Sequence, residues 1–151
     1  MRPTEIETLT TQDIDLEKGT IYIKPSVKNN PRMLTLKPNQ ILLFKNYLDI
    51  TRKSLVKNNE IIFFVIGQRG EPMTAEDITK HIKRNYNLYQ PRTINPMTIR
   101  QSVIANLLKA HNDLRLVQVF AGHKYTSTTE RYKQNDVELL QAAVNKYHPL
   151  Q

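Results

Sequence analysis

The 151-residue chain contains no cysteine, no tryptophan and only four glycines. Without cysteine there is no disulfide framework, thiol nucleophile or thiolate zinc site. Only His, Asp and Glu remain as metal ligands, and the four histidines are too scattered to suggest a cage, so neither a metal nor a cofactor is expected. Four glycines cannot supply a phosphate-cradling loop, and Gly67 and Gly70 sit in a turn. Long apolar runs are missing too. The longest, Ile61 to Ile66, is far too short to cross a bilayer, and the basic start of the chain is followed by no signal-peptide core. A transmembrane or secreted protein is not expected.

What the chain does hold is positive charge, with a formal net of +8. The excess is local. Residues 80 to 134 carry ten basic side chains against only Asp113 and Glu130, and the rest of the chain is neutral. A basic segment of this kind suits nucleic acid, an acidic membrane surface, or solubility alone.

Local patterns set the element order. Pro3 to Leu9 reads as a short helix with proline in its first turn. Thr20 to Lys24 and Arg32 to Leu36 alternate around an Asn29-Asn30-Pro31 turn and predict a hairpin. A helix opens at Pro38 and ends near Asp49 to Arg52, and 60–66 reads as a strand or buried extended piece. Thr74 and Asp77 form a capping box before another helix. Asn95-Pro96 starts a helix with Ile99, Val103, Ile104, Leu107 and Leu108 as its apolar stripe. Asp113 caps a short helix stopped by Gly122. Ser127 and Glu130 suggest a second capping box, and Asp136 begins a final helix to about Tyr147. This order predicts an α+β fold, mainly helical, with a small antiparallel sheet or hairpin.

Arg100 falls on the expected inner side of its helix, with Val103, Ile104 and Leu107. A buried guanidinium stays charged and needs a carboxylate or a bound phosphate, unless it reaches from the core edge to water. Gly122-His123 fits a helix end, and by itself marks only a cap followed by a surface histidine. Tyr132, between Arg131 and Lys133, is by itself a packing residue as readily as a nucleophile. Together, however, Arg100, His123 and Tyr132 stand in the text AGHKYTSTTERY and the spacing before it. The set closely resembles the tyrosine recombinase family, also called phage integrases, which pairs such an arginine with Gly-His and Thr-Thr-x-x-Tyr. Arg2-Pro3-Thr4-Glu5 is similar to the family's first arginine motif, and Lys28 falls where the family keeps a β-hairpin lysine.

The resemblance implies transesterification of a DNA phosphodiester without metal or ATP. Arg2 and Arg100 would clamp the phosphate, and His123 would donate to a non-bridging oxygen or assist proton transfer. Lys28 would be the general acid for the leaving 5′ oxygen, and Tyr132 the nucleophile that forms a 3′-phosphotyrosine. A phenol ionises only near pH 10, so such a nucleophile needs activation. Met97 departs from the pattern, because it stands where the family usually has histidine and a thioether cannot donate a proton. Lys80, Lys83, Arg84, Lys124, Arg131 and Lys133 would track DNA phosphates.

By the same resemblance the partner is double-stranded DNA. The expected assembly is a homo-oligomer, a tetramer on DNA, docked through the C-terminal helix, which could equally pack on its own domain. The expected location is cytoplasmic, with the nucleoid. Residues 1–151 would form one catalytic domain, N-terminally truncated and lacking the family's DNA-clamping core-binding domain. The expected function is site-specific recombination, integration or excision. The competing reading is a catalytically impaired DNA-binding remnant or accessory protein of a mobile element, supported by Met97.

Overall fold

A computed structural model of the chain describes residues 1–56, 61–86 and 94–132, with the side chains of 85 and 86 left aside. Helix α1 (Pro3–Glu7) leads through a 3₁₀ turn (Thr11–Asp13) into a three-stranded antiparallel sheet of β1 (Ile14–Asp15), β2 (Thr20–Ile23) and β3 (Arg32–Thr35), in the order β1-β2-β3. The register pairs Ile21 with Leu34 and Ile23 with Arg32. Ile21 and Ile23 alternate inward and join Leu9 and Phe64 in the first core cluster. The hairpin is therefore as expected, with a short third strand added on its outer edge.

Helix α2 (Pro38–Asn46) continues through a π-helical turn (Tyr47–Thr51) into α3 (Arg52–Leu55). The wide turn is the physical reason the expected single helix is not uniform. It is followed by a clasp. Arg52 donates from Nε and Nη2 to the carbonyl of Phe63, and from Nη2 to that of Ile61 at 2.5 Å, while the Tyr47 hydroxyl donates to the carbonyl of Phe64 at 2.9 Å. Residues 61–66 are thus extended but form no named strand. They make isolated bridges, Thr10 to Phe63 and Ile66 to Pro72, while the side chains of Arg52 and Tyr47 take the carbonyls of Ile61, Phe63 and Phe64.

Helix α4 (Ala75–Tyr86) has the expected box, with the Thr74 hydroxyl donating to Asp77 at 2.7 Å and the Asp77 amide donating back at 3.2 Å. It packs on α1. Helix α5 (Pro96–Lys109) is capped by Asn95, whose side-chain oxygen accepts from the amides of Met97 and Thr98. Helix α6 (Leu114–Ala121) is capped by Asp113 and ends at Gly122, which is left-handed with φ 71°. Ile104, Val117 and Ala121 form the second core cluster, with Tyr132 packed against it. The α5 stripe is narrower than expected. Ile99 and Val103 are exposed and line an open, mostly apolar cavity of about 390 Å³ with Phe120. The helix of the Tyr132 segment begins at residue 126, so Ser127 lies inside it and does not cap it. Lys133 and the helix expected from Asp136 lie outside the described residues.

Candidate active site

Helix α1 brings Arg2 and Glu5 to the sheet. The Arg2 amide donates to Glu5 Oε2 at 2.8 Å, closing the first turn. The hairpin brings Lys28, α5 brings Met97 and Arg100, and all of these except Glu5 line one cavity of about 600 Å³. Lys83 of α4 lines it as well. Arg100 is buried, and its guanidinium donates to the carbonyl of Ala121, the last residue of α6. The sequence called for a carboxylate or phosphate partner. The direct partner is instead a main-chain oxygen, with the Glu5 carboxylate acting through its field. Burial first, and then the charges of Arg2 and Arg32, lower the Arg100 pKa from its ordinary value, while Glu5 opposes them.

His123 follows directly on the Gly122 turn. It is buried, and its Nδ1 lies 2.9 Å from the hydroxyl of fully buried Thr129. Desolvation, followed by the charges of Arg100, Arg2 and Arg32, brings the His123 pKa down to about 4. The imidazole is therefore neutral at pH 7. Tyr132 stacks beside it, with ring centroids 6.3 Å apart and planes inclined by 10°. Arg2, Lys28, Met97, Arg100, His123 and Tyr132 thus come from three helices, a hairpin tip and a turn to one region.

The basic side chains divide. Lys80 is paired with Glu76 at 3.0 Å, whereas Lys83, Arg84, Lys124 and Arg131 are exposed. Residue-by-residue reading missed a different set. Glu5 accepts Arg32 Nη1 and Nη2 at 2.9 Å each, and Asn29 Nδ2 at 2.9 Å. Burial alone would raise the Glu5 pKa, but these bonds, the Arg2 amide and the charges of Arg32 and Arg100 hold it below the usual value. Gln118, also buried, donates to the His123 carbonyl at 3.2 Å and accepts from Arg115 at 3.0 Å. The only sequence signal for the ion pair was a carboxylate inside the first arginine motif and an arginine opening a strand.

The family model described as "Phage integrase family" matches residues 1–138. The tyrosine recombinase XerD of Staphylococcus saprophyticus is 29% identical over 151 residues, covering 99% of this chain and 50% of the relative. That of Staphylococcus haemolyticus is 31% identical over 152 residues, with the same coverage. The chain spans about half the length of these curated relatives. Among solved structures, XerA recombinase superposes with a TM-score of 0.77 at 19% identity, covering 99% of this chain and 54% of its own, a likeness of fold. XerH site-specific recombinase bound to a palindromic difH substrate, in a post-cleavage complex, gives 0.74 at 28% identity, over 95% of this chain and 41% of that one. The match runs through every element that carries the cavity, and the chain belongs to the phage integrase family, the tyrosine recombinases.

Proposed function

We propose that this chain cleaves and rejoins double-stranded DNA at specific sites through a tyrosine-bound 3′ phosphate, serving integration or excision. The observation that carries the reading is the convergence of Arg2, Lys28 and Arg100 on one cavity, with His123 stacked beside Tyr132. Two guanidiniums suit the non-bridging oxygens of a phosphodiester and the extra charge of its pentavalent transition state. Tyr132 gives up its phenol proton to solvent as its oxygen attacks phosphorus, the bond from phosphorus to the 5′ oxygen breaks, and the Lys28 ammonium supplies the proton to that leaving oxygen. Rejoining is the reverse, with the 5′ hydroxyl attacking the phosphotyrosine. The Thr129 hydroxyl can donate to His123 Nδ1, which leaves Nε2–H to serve a phosphate oxygen. Met97 lines the cavity without a proton to give, so proton supply rests on Lys28 and His123.

Lys83, Arg84, Lys124, Arg131 and Lys133 then hold the DNA backbone, and Lys80 does so after release from Glu76. On DNA, a tetramer of like chains would form through the C-terminal segment, whose Val137, Leu140, Val144 and Tyr147 share helical spacing. No helix among the described residues is long and apolar enough to cross a membrane, which fits work on DNA in the cytoplasm beside the nucleoid. The test is covalent trapping on a library of nicked duplexes. The chain should yield a protein–DNA adduct that Tyr132→Phe abolishes, whereas tight DNA binding with no adduct on any duplex would refute cleavage.

A further inference from the structure

Arg32 has no part in the chemistry above, yet its side chain is only 1% exposed. A buried guanidinium gives up its hydration, and an apolar residue opening this strand would avoid that cost. Its Nε has no hydrogen-bond partner among the described residues, so stability alone does not account for it. On one side Arg32 grips Glu5 with both terminal nitrogens, and Glu5 in turn holds the Arg2 amide and the Asn29 side chain.

On its other side Arg32 lies against Gly122. A β-carbon at Gly122 would come within 3.0 Å of Arg32 Cζ and closer still to Nη1. That turn is also tied to the hairpin tip by backbone. The Asn30 amide donates to the Gly122 carbonyl at 3.0 Å, and Asn29 forms an isolated bridge with His123. One guanidinium is therefore wedged between the start of α1, the Lys28 hairpin and the turn that presents His123.

We propose that Arg32 is a positioning residue: forked onto Glu5 and seated against Gly122, it sets the spacing at which Arg2, Lys28 and His123 meet one phosphate. The proposal rests on the recombinase reading for its consequence, but not for its geometry. Lysine cannot replace the fork, since a single ammonium has no planar pair of donors for the two oxygens of Glu5. Because its charge also acts on His123, Arg32 should leave a mark on that imidazole that a mere filler would not.

The test uses the 151-residue chain with Arg32→Lys and Arg32→Met. Two readouts are followed: the single-turnover cleavage rate at saturating nicked duplex, and the NMR titration of His123 without DNA. Arg32→Lys should keep His123 titrating near its original pH and lose cleavage by about tenfold or more, with half-saturating DNA changed less than about twofold. Arg32→Met should move the His123 titration to higher pH. Cleavage by Arg32→Lys within about twofold of the parent overturns the proposal, as does an unmoved titration in folded Arg32→Met. If Arg32→Met does not fold, Arg32→Lys decides. If the parent chain itself forms no adduct, the recombinase reading fails alone. The chemical shifts of His123 and Lys28 in Arg32→Lys then decide the positioning role, with displaced signals supporting it and unchanged ones overturning it.

Discussion

On the inner wall of the site Glu5, Arg32, Arg100 and His123 are buried, each with a named hydrogen-bond partner. On the outer rim Lys28, Lys83, Lys124 and Arg131 stand in solvent. Both regions are built from charged or titratable side chains, but those of the wall are desolvated and hydrogen-bonded within the fold, whereas those of the rim are hydrated. Changing Glu5 or Arg32 alone leaves the other's desolvated charge behind, whereas a rim residue loses only a screened interaction.

Glu5→Gln should separate the two regions most sharply. It leaves Arg32 buried without its counter-charge, and the expected loss is about 3–5 kcal/mol of stability, read by chemical denaturation. A loss below about 1 kcal/mol would show that the wall does not depend on this pair. Gly122→Ala is the next largest. The left-handed φ of 71° and the Arg32 guanidinium both oppose a β-carbon, so about 2 kcal/mol should be lost, together with cleavage.

The acid limb comes third. His123 holds its proton less tightly folded, at about 4, than unfolded, at about 6.5, so the unfolded chain binds more protons between those values. Stability should therefore fall as pH drops from about 6.5 towards 4, with this contribution complete below 4. Melting His123→Gln across that range should show a shallower decline, and an identical decline would assign the acid loss elsewhere. The rim gives the smallest effect on folding. Arg131→Gln should change stability by less than about 0.5 kcal/mol while lowering the salt slope of DNA binding by about one. An unchanged slope would remove Arg131 from the interface.

The same division explains what could be read without coordinates. Caps are local, so Asp77, Asn95 and Asp113 announced their helices, and Gly122 announced its stop. The candidate site residues could be named because their types and spacing resemble a family. Glu5 and Arg32 were not paired in advance, since 27 residues separate them and each has an ordinary local reading. Exposure of Ile99 and Val103 was hidden for a related reason. Helical spacing identifies a stripe, but only the neighbouring elements decide how much of it is covered. Residues 61–66 have the composition of a strand, and among the described residues their pairing stops at isolated bridges.

The wide turn at Tyr47–Thr51 adds a further consequence. One extra residue in a helical circuit rotates everything after it by about 100°. Arg52 follows that slip, and its present direction is the one that reaches the carbonyls of Ile61 and Phe63. The helix is in effect clocked, with the turn acting as a phase offset between its two halves. Any relative that shortens the turn by one residue must hold 61–63 by other means, so chain length here matters more than side-chain identity.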